Sequence, residues 1–296
     1  MVSDAAKRFN ALLGPPAPSA EPLSLEEARA TIGEWARVTS EPDGVTYQPF
    51  DVRGVAVEWT VPAAADKDRV FIYLHGGGYS LGSIESHRRL VGHLANASGI
   101  RGLSVEYRLA PEDPFPAGLD DAVAIFSWLL DEGYEARRIG VGGDSSGGGL
   151  ALALALALAE RGMPRPAGLV LLSPWTDLAS TGESLAGKID EARMRRIAWY
   201  AGDHDVRHPL VSPLYADFTD FPPFIVHVGG AELLLDDSTR LVERAAAAGC
   251  EATIEIWPEM QHVFQLAAGN VPESDSSMLK LGAWLSKRLG ANGRAD

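Results

Sequence analysis

Cysteine is nearly missing: Cys250 is the single one among 296 residues. No internal disulfide can form, and a reducing, cytoplasmic setting is the expectation. Cys250 has no thiol partner, so it reads as packing. Basic residues are in deficit, with 26 Lys and Arg against 40 Asp and Glu, a formal charge of −14. That argues against a nucleic-acid partner, whose phosphates need a basic surface, and disfavours anionic membranes. Long apolar runs are absent too. The run at 150–159 is far below the ~20 residues of a membrane span, so no span is expected. No His-Glu-x-x-His or clustered ligand spacing appears, so neither a metal nor another cofactor is expected. Repeats and long linkers are also lacking, which favours one main domain. What is abundant is apolar side chain, 46% of the total, enough for a sizeable core.

Short β-rich runs predict strands over 45–50, 55–60, 70–75, 102–107, 138–142, 168–173, 224–228 and 252–257. Helical patterns fall over 85–97, 119–130, 146–161, 236–248 and 276–289. The early strands follow one another directly and the later ones alternate with helices. This predicts an α/β fold with a mostly parallel eight-stranded sheet and helices on both faces. The stretch 150–159 alternates Leu and Ala, a period that suits a strand. Both residues are strong helix formers, however, and none in the run is β-branched, so it reads as a helix buried nearly all round. Residues 1–44 form a separate N-terminal segment, with a capping-box-like start at Ser24 and Glu27. Residues 180–210 interrupt the alternation. Both are expected to cap the main body at 45–296.

Glycines crowd the segment GVGGDSSGGG, 140–149. A phosphate loop is excluded because Gly149 stands where its lysine belongs. A dinucleotide fingerprint is excluded because Ser145 stands where its third glycine belongs. Gly143-Asp144-Ser145-Ser146-Gly147 fits Gly-x-Ser-x-Gly, between a strand and a helix. Such a turn holds its serine in a strained conformation above the sheet, and side chains at 143 and 147 would collide with neighbouring chain. The helix start behind it aims free N–H groups at developing negative charge. A second glycine cluster, His75-Gly76-Gly77-Gly78, ends the strand FIYL. Gly77 and Gly78, with the N–H of Ser146, are the expected oxyanion donors. His75 reads as an orienting residue.

These motifs resemble the hormone-sensitive-lipase-like branch of the α/β-hydrolases, the bacterial esterases with an HGGG motif. The resemblance runs from about residue 70 to the C-terminus. It rests on HGGGYSLGS, YRLAPEDPFPAGLDDA, GDSSGG, LSPWTDL and SPLYADF. It implies the α/β-hydrolase fold with a helical cap, and the chain order serine, acid, histidine. His262, after the last strand, matches the family's base position, although Val263 stands where the family often has Gly. Glu232 takes the position of the family's first Asp in the acid loop GGAELLLDDSTR, with Asp236 as the alternative. Asp236 and Asp237 read as caps of the following helix.

The expected activity is serine-dependent hydrolysis of short-chain carboxylic esters, with Ser145, His262 and Glu232 catalytic and a small-molecule ester as partner. Lactone hydrolysis by the same groups, or a non-catalytic receptor on the same fold, are the alternatives. An apolar roof from Met194, Ile197 and Ala201, with Phe9, Leu12 and Leu13, is expected above the serine. Tyr79 and Trp199 are expected to touch substrate. A homodimer is allowed, and oligomeric state stays open.

Overall fold

The structure is a computed structural model that describes residues 2–12 and 23–290. Its elements run α1 (Asp4–Leu12), α2 (Leu25–Gly33), β1 (Val45–Val52), β2 (Val55–Pro62), β3 (Asp66–Leu74), α3 (Ile84–Ser98), β4 (Ile100–Val105), α4 (Ala117–Asp131), β5 (Ile139–Asp144) and α5 (Ser146–Glu160). They continue with β6 (Gly168–Leu172), α6 (Glu191–Ala201), β7 (Phe224–Gly229), α7 (Leu235–Ala247), β8 (Ala252–Trp257) and α8 (Pro272–Arg288). The eight strands form one sheet in the order β1-β2-β4-β3-β5-β6-β7-β8. The first two pairings, β1 with β2 and β2 with β4, are antiparallel; the rest are parallel.

Side-chain alternation along β3 divides the core. Val70, Ile72 and Leu74 face α4, α5 and α7, while Phe71 and Tyr73 face α3 and α8. Both faces are covered, which is why the central strands read as continuous apolar runs. The Leu-Ala stretch is helical: it is α5, and only Leu156, Ala159 and Glu160 escape full burial. Helix α2 starts with both bonds of the Ser24–Glu27 capping box. Helix α1 packs Ala6 and Phe9 against Met260, Phe264 and Val271, a cluster of its own. Phe9 therefore does not roof the serine. Leu13 and the side chain of Leu12 lie outside the described residues. No helix of the described residues is long and apolar enough to cross a membrane.

The burial contrast between α5 and α6 sets two stability outcomes. Leu154 is fully buried, whereas Met194 is 61% exposed. Leu154→Ala should cost about 2–5 kcal/mol in urea unfolding, and Met194→Ala less than about 0.5 kcal/mol. Equal losses from the two would show that α5 is not the packed centre of the body.

Candidate active site

Strand β5 leads into α5 through Ser145, whose backbone sits at φ 52°, ψ −120°. The Ser145 N–H donates to the Leu172 carbonyl at 2.9 Å, and its own carbonyl accepts from the Trp175 N–H at 2.8 Å. A Cβ at Gly143 would fall on the carbonyl of Gly147, and one at Gly147 on the carbonyls of Leu74 and His75. Only glycine lets the turn come this close to its own helix and to β3.

Ser145 Oγ lies 2.9 Å from His262 Nε2, and His262 Nδ1 lies 2.9 Å from Glu232 Oε1. The second carboxylate oxygen, Glu232 Oε2, accepts from Ser173 Oγ at 2.6 Å and from the Gly229 N–H at 2.8 Å. Ser173 Oγ in turn accepts from the Val263 N–H at 3.2 Å. Glu232 is thus buried with both oxygens occupied, next to an imidazole that stays 39% exposed. Val263 adopts φ 47°, ψ 45°, a left-handed state that a β-branched residue takes only under constraint. Glycine is the easier residue there. Asp236 does not reach His262; its Oδ2 accepts from the Ser184 N–H at 2.8 Å. Asp237 accepts from the N–H groups of Thr176 and Asp177, both at 2.8 Å. The N-cap position of α7 is Leu234, without a side-chain bond, so neither aspartate caps that helix. Both tie it to the chain after β6. Burial pushes the Asp237 carboxyl up to about 7.

Gly77 (φ 124°) and Gly78 (φ 64°) line the cavity that also holds Ser145 and His262. Ser146 opens α5, where a helix's first N–H groups lack intrahelical partners. Its side chain has a role the sequence reading missed: Ser146 Oγ accepts from the Tyr79 N–H at 3.2 Å and ties the glycine loop to the elbow. Asp144 makes a second tie. Its Oδ1 accepts from Tyr73 Oη at 2.9 Å and from the Gly76 N–H at 3.0 Å, and its Oδ2 lies 3.3 Å from His87 Nε2. Burial alone would discharge both partners of that pair. Their mutual attraction outweighs it, holding Asp144 below its ordinary value and His87 above. His75 is buried and stacked on Tyr107, with Nδ1 2.8 Å from the Gly76 carbonyl. Burial and the neighbouring His87 lower it to about 4, so it stays neutral. His227 is buried in β7 beside Ser277 Oγ at 2.8 Å, far from catalytic use.

The cavity measures about 300 Å³. Ile32, Trp35, Leu81, Trp175, Leu233 and Leu266 give it apolar walls, and Arg193 and Arg196 of α6 complete it. Two expected substrate contacts lie elsewhere. Tyr79 is buried and stacks on Tyr200 at 3.6 Å between centroids, which turns it into the base of α6. Trp199 lines a separate small crevice with Leu23, Ala192 and Arg195. The expected stripe on α6 is also turned away: Ala201 is buried, Ile197 packs on the core and Met194 points to solvent. The N-terminal segment roofs the site through Ile32 and Trp35 instead. Arg29 holds it there, donating to the Ser80 carbonyl at 2.9 Å and to both oxygens of Glu112 at 2.8 Å. Glu112 therefore braces the glycine loop through Arg29. Arg108 pairs with Asp121, and Asp177 with Arg240.

A family model described as alpha/beta hydrolase fold matches residues 71–266. An acetyl-hydrolase of Streptomyces hygroscopicus is 43% identical over 240 residues, covering 79% of this chain and 80% of that protein. An esterase of Acinetobacter venetianus is 34% identical, covering 88% of each. Among solved structures, an esterase from the bacterial hormone-sensitive lipase family superposes with a TM-score of 0.91 at 40% identity, covering 98% of this chain and 100% of that one. The esterase EstE5, in crystals soaked with p-nitrophenyl butyrate, gives 0.91 at 33% identity, with 97% and 99% covered.

The Asp144–His87 pair has a defined pH signature. A raised histidine contributes stability that is complete below its unfolded value and lost as pH rises through the folded one. A depressed aspartate contributes stability that is lost as pH falls through its folded value. Both terms are present between about pH 4 and pH 6.5. Asp144→Asn should destabilise by about 1–3 kcal/mol in that window, with a smaller gap at higher pH. By NMR titration, His87 should shift from above to below the ordinary imidazole value. A gap that widens above pH 8, or an unmoved His87, would show that the two are uncoupled.

Proposed function

Because the chain belongs to the α/β-hydrolase fold family, in its hormone-sensitive-lipase-like bacterial esterase branch, and is a carboxylic-ester hydrolase, we propose that it cleaves short-chain esters with Ser145 as nucleophile, His262 as base and Glu232 as orienting acid. The observation that carries this reading is the unbroken chain of 2.9 Å contacts from Ser145 Oγ through His262 to Glu232. His262 Nε2 takes the hydroxyl proton as Ser145 Oγ attacks the ester carbonyl. Glu232 fixes the ring with its proton on Nδ1 and stabilises the imidazolium that forms. The backbone N–H groups of Gly77, Gly78 and Ser146 receive the oxyanion. His262 then gives its proton to the departing alcohol, and water, activated by the same imidazole, clears the acyl-enzyme. The catalytic body is residues 45–296, and residues 1–44 and 180–210 act as its cap. A cytoplasmic setting belongs to the same proposal, on the strength of the lone cysteine.

Two measurements test the assignment. Ser145→Ala should abolish turnover of p-nitrophenyl butyrate with the melting temperature retained. Glu232→Gln should lose about 10⁴ in kcat, while Asp236→Asn should act mainly on stability. The reverse order of activity loss would move the acid to Asp236. The cavity volume supports the short-chain preference, since each methylene gains about 0.8 kcal/mol only while space remains. On p-nitrophenyl esters, kcat/KM should peak between acetate and hexanoate. A rise that continues to decanoate would refute the preference.

A further inference from the structure

Two arginines, Arg193 and Arg196, line the cavity, although the chain carries a large negative charge. Arg193 and Arg196 are three residues apart on α6, so they project from one face of that helix. Arg196 lies directly on the oxyanion loop: a Cβ at Gly78 would come within 2.7 Å of its Cδ and 3.0 Å of its Nε. The Arg193 guanidinium stands over the Trp175 ring, 4.3 Å from its centroid, and Trp175 is itself a cavity wall. Neither arginine forms an ion pair with a carboxylate among the described residues. Arg193 Nη2 is buried without a hydrogen-bond partner. Among the described residues its one side-chain hydrogen bond is a long contact from Nε to Ser180 Oγ at 3.4 Å.

The acids that act on these arginines stand outside ion-pair distance. Asp190 caps α6 by accepting from the Arg193 backbone N–H at 2.7 Å. Asp177 is held by Arg240, Thr181 and Tyr215. Asp237 Oδ2 is turned to the backbone of Thr176 and Asp177, while its buried Oδ1 has no hydrogen-bond partner; its attraction for Arg193 stops short of an ion pair. Of the two carboxylates nearest the chemistry, Glu232 is taken by His262 and Asp144 by His87. Burial is the leading influence on both arginines and pulls each below its ordinary value, with acids only partly compensating. Arginine nevertheless stays charged. Charge that is partly desolvated and unpaired inside a substrate cavity is costly to keep, and a ligand anion is the partner that removes the cost.

We propose that Arg193 and Arg196 select esters that carry a carboxylate on the acyl or the alcohol side, the anion docking between the two guanidiniums while the ester carbonyl sits at Gly77 and Gly78. This deepens the reading of the site as an ester hydrolase and rests on it.

Matched ester pairs isolate the charge. Monomethyl glutarate against dimethyl glutarate tests the acyl side; 4-acetoxybenzoate against its methyl ester tests the alcohol side. The measured quantity is the ratio of kcat/KM, charged over neutral, for the wild type, Arg193→Gln, Arg196→Gln and Ser145→Ala. In at least one pair the wild type should favour the charged ester, which also identifies the side. Either Gln variant should lower that ratio about 10- to 100-fold. The wild type supplies a check that needs no variant: glutarate or benzoate should inhibit neutral-ester hydrolysis more strongly than the corresponding amide. The proposal is overturned if the wild type hydrolyses the neutral esters through Ser145 yet disfavours both charged ones. It is equally overturned if the Gln variants lose both members of a pair in parallel, or if acid and amide inhibit alike. Hydrolysis that survives Ser145→Ala would instead overturn the reading of the site itself.

Discussion

The turn at Ser145 is held at φ 52°, ψ −120°, a backbone state that costs on the order of 1–3 kcal/mol and persists only where its surroundings over-determine it. Those surroundings come from every side. Leu172 and Trp175 bond its peptide groups from the β6 side, and α5 follows immediately as the most enclosed helix of the molecule. Tyr73 and Gly76 grip the residue before it, and Tyr79 the residue after it. Ser145 and the glycine loop are thereby one rigid object. Their relative position is fixed by Asp144 and Ser146, the two neighbours of Ser145, and no flexible side chain intervenes. Oxyanion stabilisation depends on such preorganisation, because donors that must move at the moment of reaction lose most of their advantage.

Buried carboxylates around this turn are each satisfied in a different way. Asp144 is kept ionised by His87, Tyr73 and a backbone N–H. Glu232 has a hydroxyl, a backbone N–H and the imidazole, so every bond it makes helps to aim His262. Asp237 Oδ2 receives two backbone N–H groups and the Thr176 hydroxyl, its Oδ1 has no partner, and burial raises its carboxyl to about 7. Glu232 is the acid in line with the serine. The segment after β7 separates its three acids by position: Glu232, in the loop, turns in to the imidazole, while Asp236 and Asp237, in the first turn of α7, hold that helix to the chain beyond β6.

Much of this was legible in the sequence because it is coded locally. The glycines at 143 and 147 exist for a steric reason that spacing alone reveals, and the strands alternate as their residues do. The Leu-Ala run was readable as a helix because propensity outweighed its period of two. Residues whose roles are set by tertiary contact were not readable. Helix α6 shows an apolar stripe, yet Ile197 and Ala201 of it pack on the core and Met194 faces solvent, and the face one residue earlier, Arg193 and Arg196, meets the cavity. Nothing in the helical period says which neighbour lies on which side. Tyr79 follows the glycine loop in sequence, but φ 61° turns its ring away from the opening and onto Tyr200. Asp144 did carry a signal, a lone charge at the end of a strand buried along its whole length, and His87 was the unseen half of that pair.

The division between local and tertiary coding follows the division of labour in the molecule. In the mechanism proposed, attack on the carbonyl needs positions fixed to fractions of an ångström, and these are supplied by strand ends and glycine turns inside the enclosed body. On the reading proposed, choice of substrate falls to α2, α6 and the residues around Trp35, which rest on that body through fewer and more exposed contacts. None of the residues of α2 is fully buried, and Arg29 clamps it through carbonyls and one exposed glutamate. In such a segment a side chain can change without disturbing the elbow, so the cavity wall is free to take on charge while the chemistry beneath stays constant. An arginine pair above the glycine loop is affordable there because α6 is also anchored by its other faces, through Tyr200, Ala201 and Ile197.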